Sequence, residues 1–205
     1  MSPFFNLQIF GGFAVLAGPI ALLGLAIPYA VLYLRDSRNE EHDTEIGLKS
    51  ALYFMFSLSI LLALAGLTVL VVDFLSEEKG FSASAKSFTD FNANQRNGCA
   101  MIVSGFAIGL FHLVVLVGFT NTRRYPAARR VFVGWRLAIN SLVVLAAFTA
   151  LVVQVFQKDV SWDDLKVTFG VLLVWGPSWL IHLLLMRFYG SAVPPSRLRR
   201  PTLED

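Results

Sequence analysis

The sequence predicts an all-α integral membrane protein built as a bundle of five transmembrane helices. The 205 residues are 56% hydrophobic and 15% charged, with a mean hydropathy of +0.63. This is more apolar surface than a water-soluble domain of this length can bury. Five apolar runs are each long enough to cross a hydrocarbon core of about 30 Å, which takes roughly 20 helical residues. Because backbone groups in lipid must be hydrogen-bonded within their own segment, these runs are predicted as helices.

Residues that flank the apolar runs support the predicted spans. The first has no basic segment before it and is too long for a signal peptide, so we expect a true span. Ser161 stands three residues before Asp164, a pattern that starts the fifth helix near Trp162. The spans form a single transmembrane domain over residues 1–189, and residues 190–205 are predicted to be a basic, proline-containing flexible tail. The predicted spans are 8–34, 48–74, 98–120, 131–156 and 162–188.

The distribution of Lys and Arg predicts the orientation. Twelve lie on the face that holds loops 35–49 and 121–130, the start of helix four and the C-terminus, and five lie on the other face. The positive-inside rule therefore puts the C-terminus in the cytoplasm and the N-terminus outside. We expect a bacterial inner membrane, with an organelle inner membrane as the alternative.

Charge and cysteine content narrow the expected partners. The net charge of +3 comes from short segments between apolar runs and not from one basic face, so no nucleic-acid partner is expected. Cys99 is the only cysteine, which excludes an intrachain disulfide and thiolate metal sites, and we expect no metal site. The expected partners are the lipid bilayer and either other membrane subunits or further copies of the chain.

An internal repeat is predicted from two matches in the same order. AGLTVLVVDF, residues 65–74, resembles AAFTALVVQV, residues 146–155, and GLFHL, residues 109–113, lies over WLIHL, residues 179–183. Helices two and three are thus echoed by helices four and five, as a parallel repeat about an axis along the membrane normal. The repeat places His112 and His182 at like depth. It also aligns Asp73 with Gln154, both of which are expected to be hydrated near the outer surface.

Small and aromatic residues predict helix packing. Gly105 and Gly109 form a G-x-x-x-G pattern, which is typical of close contact between membrane helices. Trp175 and Trp179 occupy the equivalent positions in the second copy. We expect these two faces either to fit each other or to leave a slot flanked by the histidines. A second packing stripe on helix one consists of Ala14, Gly18 and Ala21.

Four polar residues could form one cluster: Arg136 and Asn140, one turn apart on helix four, with His112 and His182. One interpretation is a b-type haem whose axial ligands are the two imidazoles, with glycines admitting the porphyrin and Arg136 pairing a propionate. The other is structural, with the histidines hydrogen-bonding across helices, Arg136 extending its charged end toward water, and Asn140 bonding a neighbour's carbonyl. The sequence leaves both open.

No catalytic signature is present, since the chain lacks H-E-x-x-H, a Walker loop and C-x-x-C-H. Eighteen Phe and four Trp provide large rigid surfaces for lipid or protein contact. The first functional hypothesis is therefore a non-enzymatic scaffold or accessory subunit of a larger membrane complex. The alternative is an electron-transfer subunit that binds one haem b, and the third is a small channel or carrier.

Overall fold

A computed structural model of the chain describes residues 24–34, 44–76, 91–120, 126–157 and 160–191. Within these ranges the regular structure is entirely helical, so the all-α prediction is confirmed. Four of the five helices are long and apolar enough to cross a membrane, as expected of an integral membrane protein. The helices are α1 (Gly24–Leu34), α2 (Ile46–Ser76), α3 (Ala93–Phe119), α4 (Pro126–Val155) and α5 (Trp162–Ser191).

The predicted helix ends differ from the observed ones for local reasons. α3 begins five residues earlier than expected, because the Asn92 side chain accepts from the Gln95 backbone N–H while the Gln95 side chain accepts from that of Asn92. α4 also begins earlier, at Pro126, a residue suited to a first helical turn. α5 continues to Ser191, two residues into the predicted tail. Residues 8–23 of the first predicted span, with Ala14, Gly18 and Ala21, and residues 192–205 lie outside the described ranges.

α2 is the central helix of the bundle. It packs antiparallel to α3 on one side, where Gly66 meets Gly98, and contacts α5 on the other, where Thr68 meets Trp175. Residues two apart point to opposite sides of a helix, so α2 separates α3 from α5. Tyr53 contacts Phe132 and, further along both helices, Phe56 contacts Arg136, so α4 runs parallel to α2. We call the end where α2 and α4 begin and α3 and α5 finish the basic end.

The α2–α3 contact brings two helix backbones together. A Cβ added to Gly66 would lie 2.6 Å from the carbonyl oxygen of Gly98, and one added to Gly105 would lie 2.6 Å from that of Ser59. A Cβ on Gly109 would meet the Ser59 hydroxyl oxygen at the same distance. At Gly66 and Gly105, where the obstacle is backbone, only glycine fits without moving the helices apart, whereas at Gly109 the Ser59 hydroxyl has to rotate. This hairpin is therefore held by close van der Waals contact.

The apolar core lies at the basic end, between α1, α2 and α4. Trp135 of α4 covers Gly24 of α1 so closely that a side chain there has no room. On α2, Lys49 is buried and its Nζ lies 3.3 Å from a carboxylate oxygen of Glu45. Through Gly24 and Leu32, α1 packs against both α2 and α4. The buried core residues are Leu32, Ile46, Phe54, Ala128 and Phe132.

At the opposite end, Asp73 joins α2 to the start of α3. Its carboxylate accepts hydrogen bonds from the side chains of Asn92 at 2.9 and 3.1 Å and of Gln95 at 2.9 Å. Gln154 plays the corresponding part in α4, since its Oε1 accepts from the Thr168 hydroxyl of α5 at 3.0 Å. The expectation that these two residues are simply hydrated was wrong. The internal repeat itself stays a prediction.

Candidate functional site: a buried polar cluster between α4 and α5

Four polar side chains meet between α4 and α5, and we call them the α4–α5 polar cluster. Arg136 and Asn140 are four residues apart on α4, and Ser178 and His182 are four residues apart on α5. This spacing puts each pair on one face of its helix. Because the helices run antiparallel, the two faces meet, and all four side chains are buried.

Asn140 is at the centre of the cluster and is fully buried. Its Nδ2 lies 2.9 Å from Ser178 Oγ and 3.2 Å from His182 Nδ1. His182 Nδ1 is also 2.7 Å from the carbonyl oxygen of Ser178, which only accepts, so this ring nitrogen carries the proton and donates. Rotating the Asn140 amide by 180° puts its oxygen where it accepts from both the Ser178 hydroxyl and His182 Nδ1. In either orientation, the other end of the amide is buried without a hydrogen-bond partner among the described residues.

Arg136 adds a positive charge to the cluster within a membrane-spanning helix. The side chain is only 7% exposed, and its guanidinium carbon lies 5.5 Å from the centre of the Phe56 ring on α2. This is a cation–π contact between α2 and α4. Arg136 also lies one helical turn from Asn140, whose amide contacts His182 of α5. The residue therefore does not extend to water, and the three helices meet around it.

Two tryptophans bracket the cluster with further hydrogen bonds. Trp179 Nε1 donates to the Ser141 hydroxyl of α4 at 2.8 Å, and Trp175 Nε1 donates to the Thr68 hydroxyl of α2 at 3.0 Å. Each hydroxyl in turn donates to a carbonyl of its own helix, Leu137 for Ser141 and Leu64 for Thr68. The indole rings thus fix α5 against both of its neighbours.

His112 is not part of this cluster. It lies on α3, partly exposed, with Nδ1 2.8 Å from the carbonyl oxygen of Ile108 and its ring edge-on to Phe111. The structure brings Arg136, Asn140 and His182 together and leaves His112 on a helix that packs on the other side of α2.

The glycine and tryptophan faces do not meet either. Gly105 and Gly109 rest on α2, while Trp175 and Trp179 bond α2 and α4. The glycines that the haem interpretation needs for porphyrin approach are already in contact with the backbone and side chain of Ser59. The described residues therefore do not form the predicted slot between two imidazoles, and the geometry does not favour the haem alternative.

The sequence analysis missed Ser178 and Phe56. Ser178 precedes His182 by four residues, so the shared helix face was a usable signal. Phe56 gave no such signal, because its contact with Arg136 joins two distant helices. Across the described part of the chain, no three His, Cys, Asp or Glu side chains are grouped to hold a metal ion.

The cluster can fix the register of α4 against α5 and keep the positively charged Arg136 side chain inside the bundle. Its polar atoms bond mainly to one another across the helix interface, an arrangement typical of polar residues between membrane helices. The chain matches no protein-family model, no curated protein and no solved structure.

Proposed function

We propose that the protein is a non-enzymatic, polytopic membrane protein that acts as a scaffold or accessory subunit of a larger membrane complex. The observation that carries this proposal is the use made of polar side chains inside the spans. Asn140, Ser178 and His182 bond one another, and Trp175 and Trp179 bond hydroxyls of neighbouring helices. These groups serve to hold helices in place, which is what a scaffold requires.

The outward surface supports the same proposal. Among the described helices, α3 packs mainly against α2, and its remaining faces carry exposed Phe and branched aliphatic side chains. Large rigid aromatic surfaces suit contact with lipid and with neighbouring membrane subunits. The excess of Lys and Arg at the basic end supports a cytoplasmic location for that end and the C-terminus. We assign the bundle to a bacterial inner membrane.

The test is the state of the full chain after gentle extraction from native membranes. We expect native mass measurement and blue-native migration to show one discrete complex that contains a second membrane protein at fixed stoichiometry. As a control, we expect the variant Leu145→Ala, a substitution at an exposed position on α4, to leave this migration unchanged. A protein that stays a lone monomer through extraction contradicts the proposal.

The visible spectrum of the same preparation tests the haem alternative. We expect no Soret band, because the two histidines lie on helices that pack on opposite sides of α2. A Soret band that disappears in both His112→Ala and His182→Ala, with the fold retained, would replace the scaffold proposal by electron transfer.

A further inference from the structure

One face of α5 packs against α2 in the half of the bundle away from the basic end and is exposed in the other half. Gly170 lies against Val72 of α2, where an added Cβ would meet a methyl carbon at 2.6 Å, and Val174 is buried. Ile181 and Phe188 continue the same face, because they stand about three and five full turns after Gly170. They are nevertheless 55% and 71% exposed. α5 therefore leaves α2 toward the basic end.

The change occurs near Pro177, which lies inside α5 between the packed and the exposed parts of this face. A proline lacks the backbone N–H that would bond the carbonyl four residues earlier, so a helix can bend at that point. In the basic half, α2 packs against α4 instead, where the Tyr53 ring stacks on Phe132 at a centroid distance of 5.9 Å. This change of neighbour leaves the α5 face largely exposed from Pro177 to the basic end.

The exposed part of this face forms an open groove of about 520 Å³ with one charged group, and we call it the α5 groove. The charge belongs to Arg187, one residue before the end of the apolar segment Leu165–Phe188. A guanidinium stays protonated and has five N–H donors. The groove is thus apolar toward the bilayer centre and positively charged near the membrane surface. The described residues that line the α5 groove are Ile181, Leu184, Leu185, Arg187 and Phe188.

We propose that the α5 groove binds an anionic glycerophospholipid, with one acyl chain along the apolar side chains and the phosphate on Arg187. Basic pockets beside transmembrane helices at the membrane surface bind anionic lipid head groups. The planar guanidinium suits this role, because it can donate two parallel hydrogen bonds to a phosphate. Lipid binding requires no partner protein, so the inference goes beyond the proposed function and does not depend on it.

The length of the α5 groove favours a lipid over a transmembrane helix of another protein. From Ile181 to Phe188 the groove extends about 10 Å along the helix axis. This distance lies within one leaflet of a hydrocarbon core about 30 Å thick. An acyl chain occupies a single leaflet, whereas a partner helix has to cross both. A straight helix that followed this face of α5 would meet α2 where Gly170 rests on Val72.

The test uses the purified full chain in phosphatidylethanolamine vesicles that contain phosphatidylglycerol with a photoreactive group in one acyl chain. After irradiation, peptide mass spectrometry locates the lipid adducts. We expect the adducts to be concentrated at residues 181–188, above their level at the exposed residues Leu142 and Leu145 of α4. The same photoreactive group on phosphatidylethanolamine is expected to label residues 181–188 about fivefold less, because that lipid has no net charge.

A matched pair of variants tests the contact with the phosphate. We expect R187Q to lower the phosphatidylglycerol adduct yield at residues 181–188 about fivefold, the effect of one basic residue at an anionic membrane surface. R129Q removes the same charge from an exposed position at the same end of the bundle, on α4 and outside the groove, and is expected to leave the yield unchanged. Thermal unfolding followed by circular dichroism checks that both variants are folded.

A second pair tests the contact with the acyl chain. L184W adds a large side chain to the lining of the α5 groove and is expected to lower the adduct yield there for both lipids. L145W makes the same substitution at an exposed position of α4, and we expect it to leave the yield at residues 181–188 unchanged.

Other outcomes overturn the inference. Lipid adducts that are spread evenly over the exposed faces of the helices, or equal yields in R187Q and R129Q, exclude a specific lipid site. Crosslinks from residues 181–188 to a second copy of the chain, in place of lipid, would make this face a contact between copies. Inorganic phosphate at constant ionic strength is expected not to compete, since it has no acyl chain. Loss of the adducts in its presence would make Arg187 a site for phosphate ions and contradict the lipid assignment.

Discussion

The two helix pairs of this bundle are held together in different ways. In the α2–α3 pair, Gly66 and Gly105 let the backbones of the two helices approach to contact. In the α4–α5 pair, Asn140 and Trp179 bridge the helices with hydrogen bonds. Both means are available in a bilayer, where burial of apolar surface gives little drive for helices to associate. Away from the helix ends, where Asp73 also bonds α2 to the start of α3, one small membrane protein uses both means, each in its own hairpin.

The two helix pairs are therefore expected to differ in how well they tolerate substitutions. A backbone contact fails when any atom is added, because a carbonyl does not move aside as a side-chain end does. A hydrogen-bonded contact loses stability in small steps, since each hydrogen bond is separate and contributes a modest free energy. The α2–α3 pair is therefore the more sensitive of the two to substitutions at its interface.

The largest effect is expected for Gly105→Leu. The new side chain has to occupy the space of Ser59 O and Ala63, so the helices must separate, at a cost of about 3 kcal/mol in the free energy of unfolding. Gly118→Leu on the same helix is the control, because no atom lies within 4 Å of an added Cβ there. Thermal unfolding in detergent measures both. Equal stability of the two variants would show that α2 and α3 do not touch at Gly105.

A smaller effect is expected for Asn140→Ala. The change removes the contacts with Ser178 and His182 and destabilises the α4–α5 pair by about 1 to 2 kcal/mol. A double-mutant cycle with Ser178→Ala isolates the pairwise free energy, expected at about 0.6 to 1.7 kcal/mol. Strict additivity of the two substitutions would contradict the hydrogen bond.

The smallest effects are expected at Asp73 and Gln154, which hold equivalent places in the two pairs. Asp73→Ala removes a carboxylate bonded by three side chains, Asn92, Asn94 and Gln95, and should cost about 1 kcal/mol, because the site is close to water. Gln154→Ala removes a single bond to Thr168 and should cost about half as much. Hydrogen exchange at the first turn of α3 and the first two turns of α5 localises each effect. A larger loss in the Gln154 variant would reverse the order.

The sequence predicts the helices well and their partners poorly. Apolar runs and the Ser161 start place the spans, because span length follows from bilayer thickness and each helix satisfies its own backbone. The early starts of α3 and α4 were missed, since Asn92 and Pro126 act through local capping beyond the apolar run. These ends depend on a few polar contacts that hydropathy does not record.

For the candidate site, the sequence predicts which residues are unusual and not which ones meet. Arg136, Asn140 and His182 were grouped by depth, and the structure places them together. His112 shares that depth but lies on the far side of α2. Depth follows from position along a helix, whereas lateral neighbours depend on how helices are arranged around one another. The faces of Gly105 and Trp175 were matched wrongly for the same reason.

The contact between Gly24 and Trp135 bears on the order in which the bundle is assembled. α2 and α3 are neighbours in the chain, as are α4 and α5, so each pair can form soon after it is synthesised. α1 packs against α2 and also against Phe132 and Trp135 of α4. Its binding place is complete only after the ribosome has passed Trp135. Of the described helices, α1 is therefore synthesised first, yet it reaches its final position only after α4 has been made.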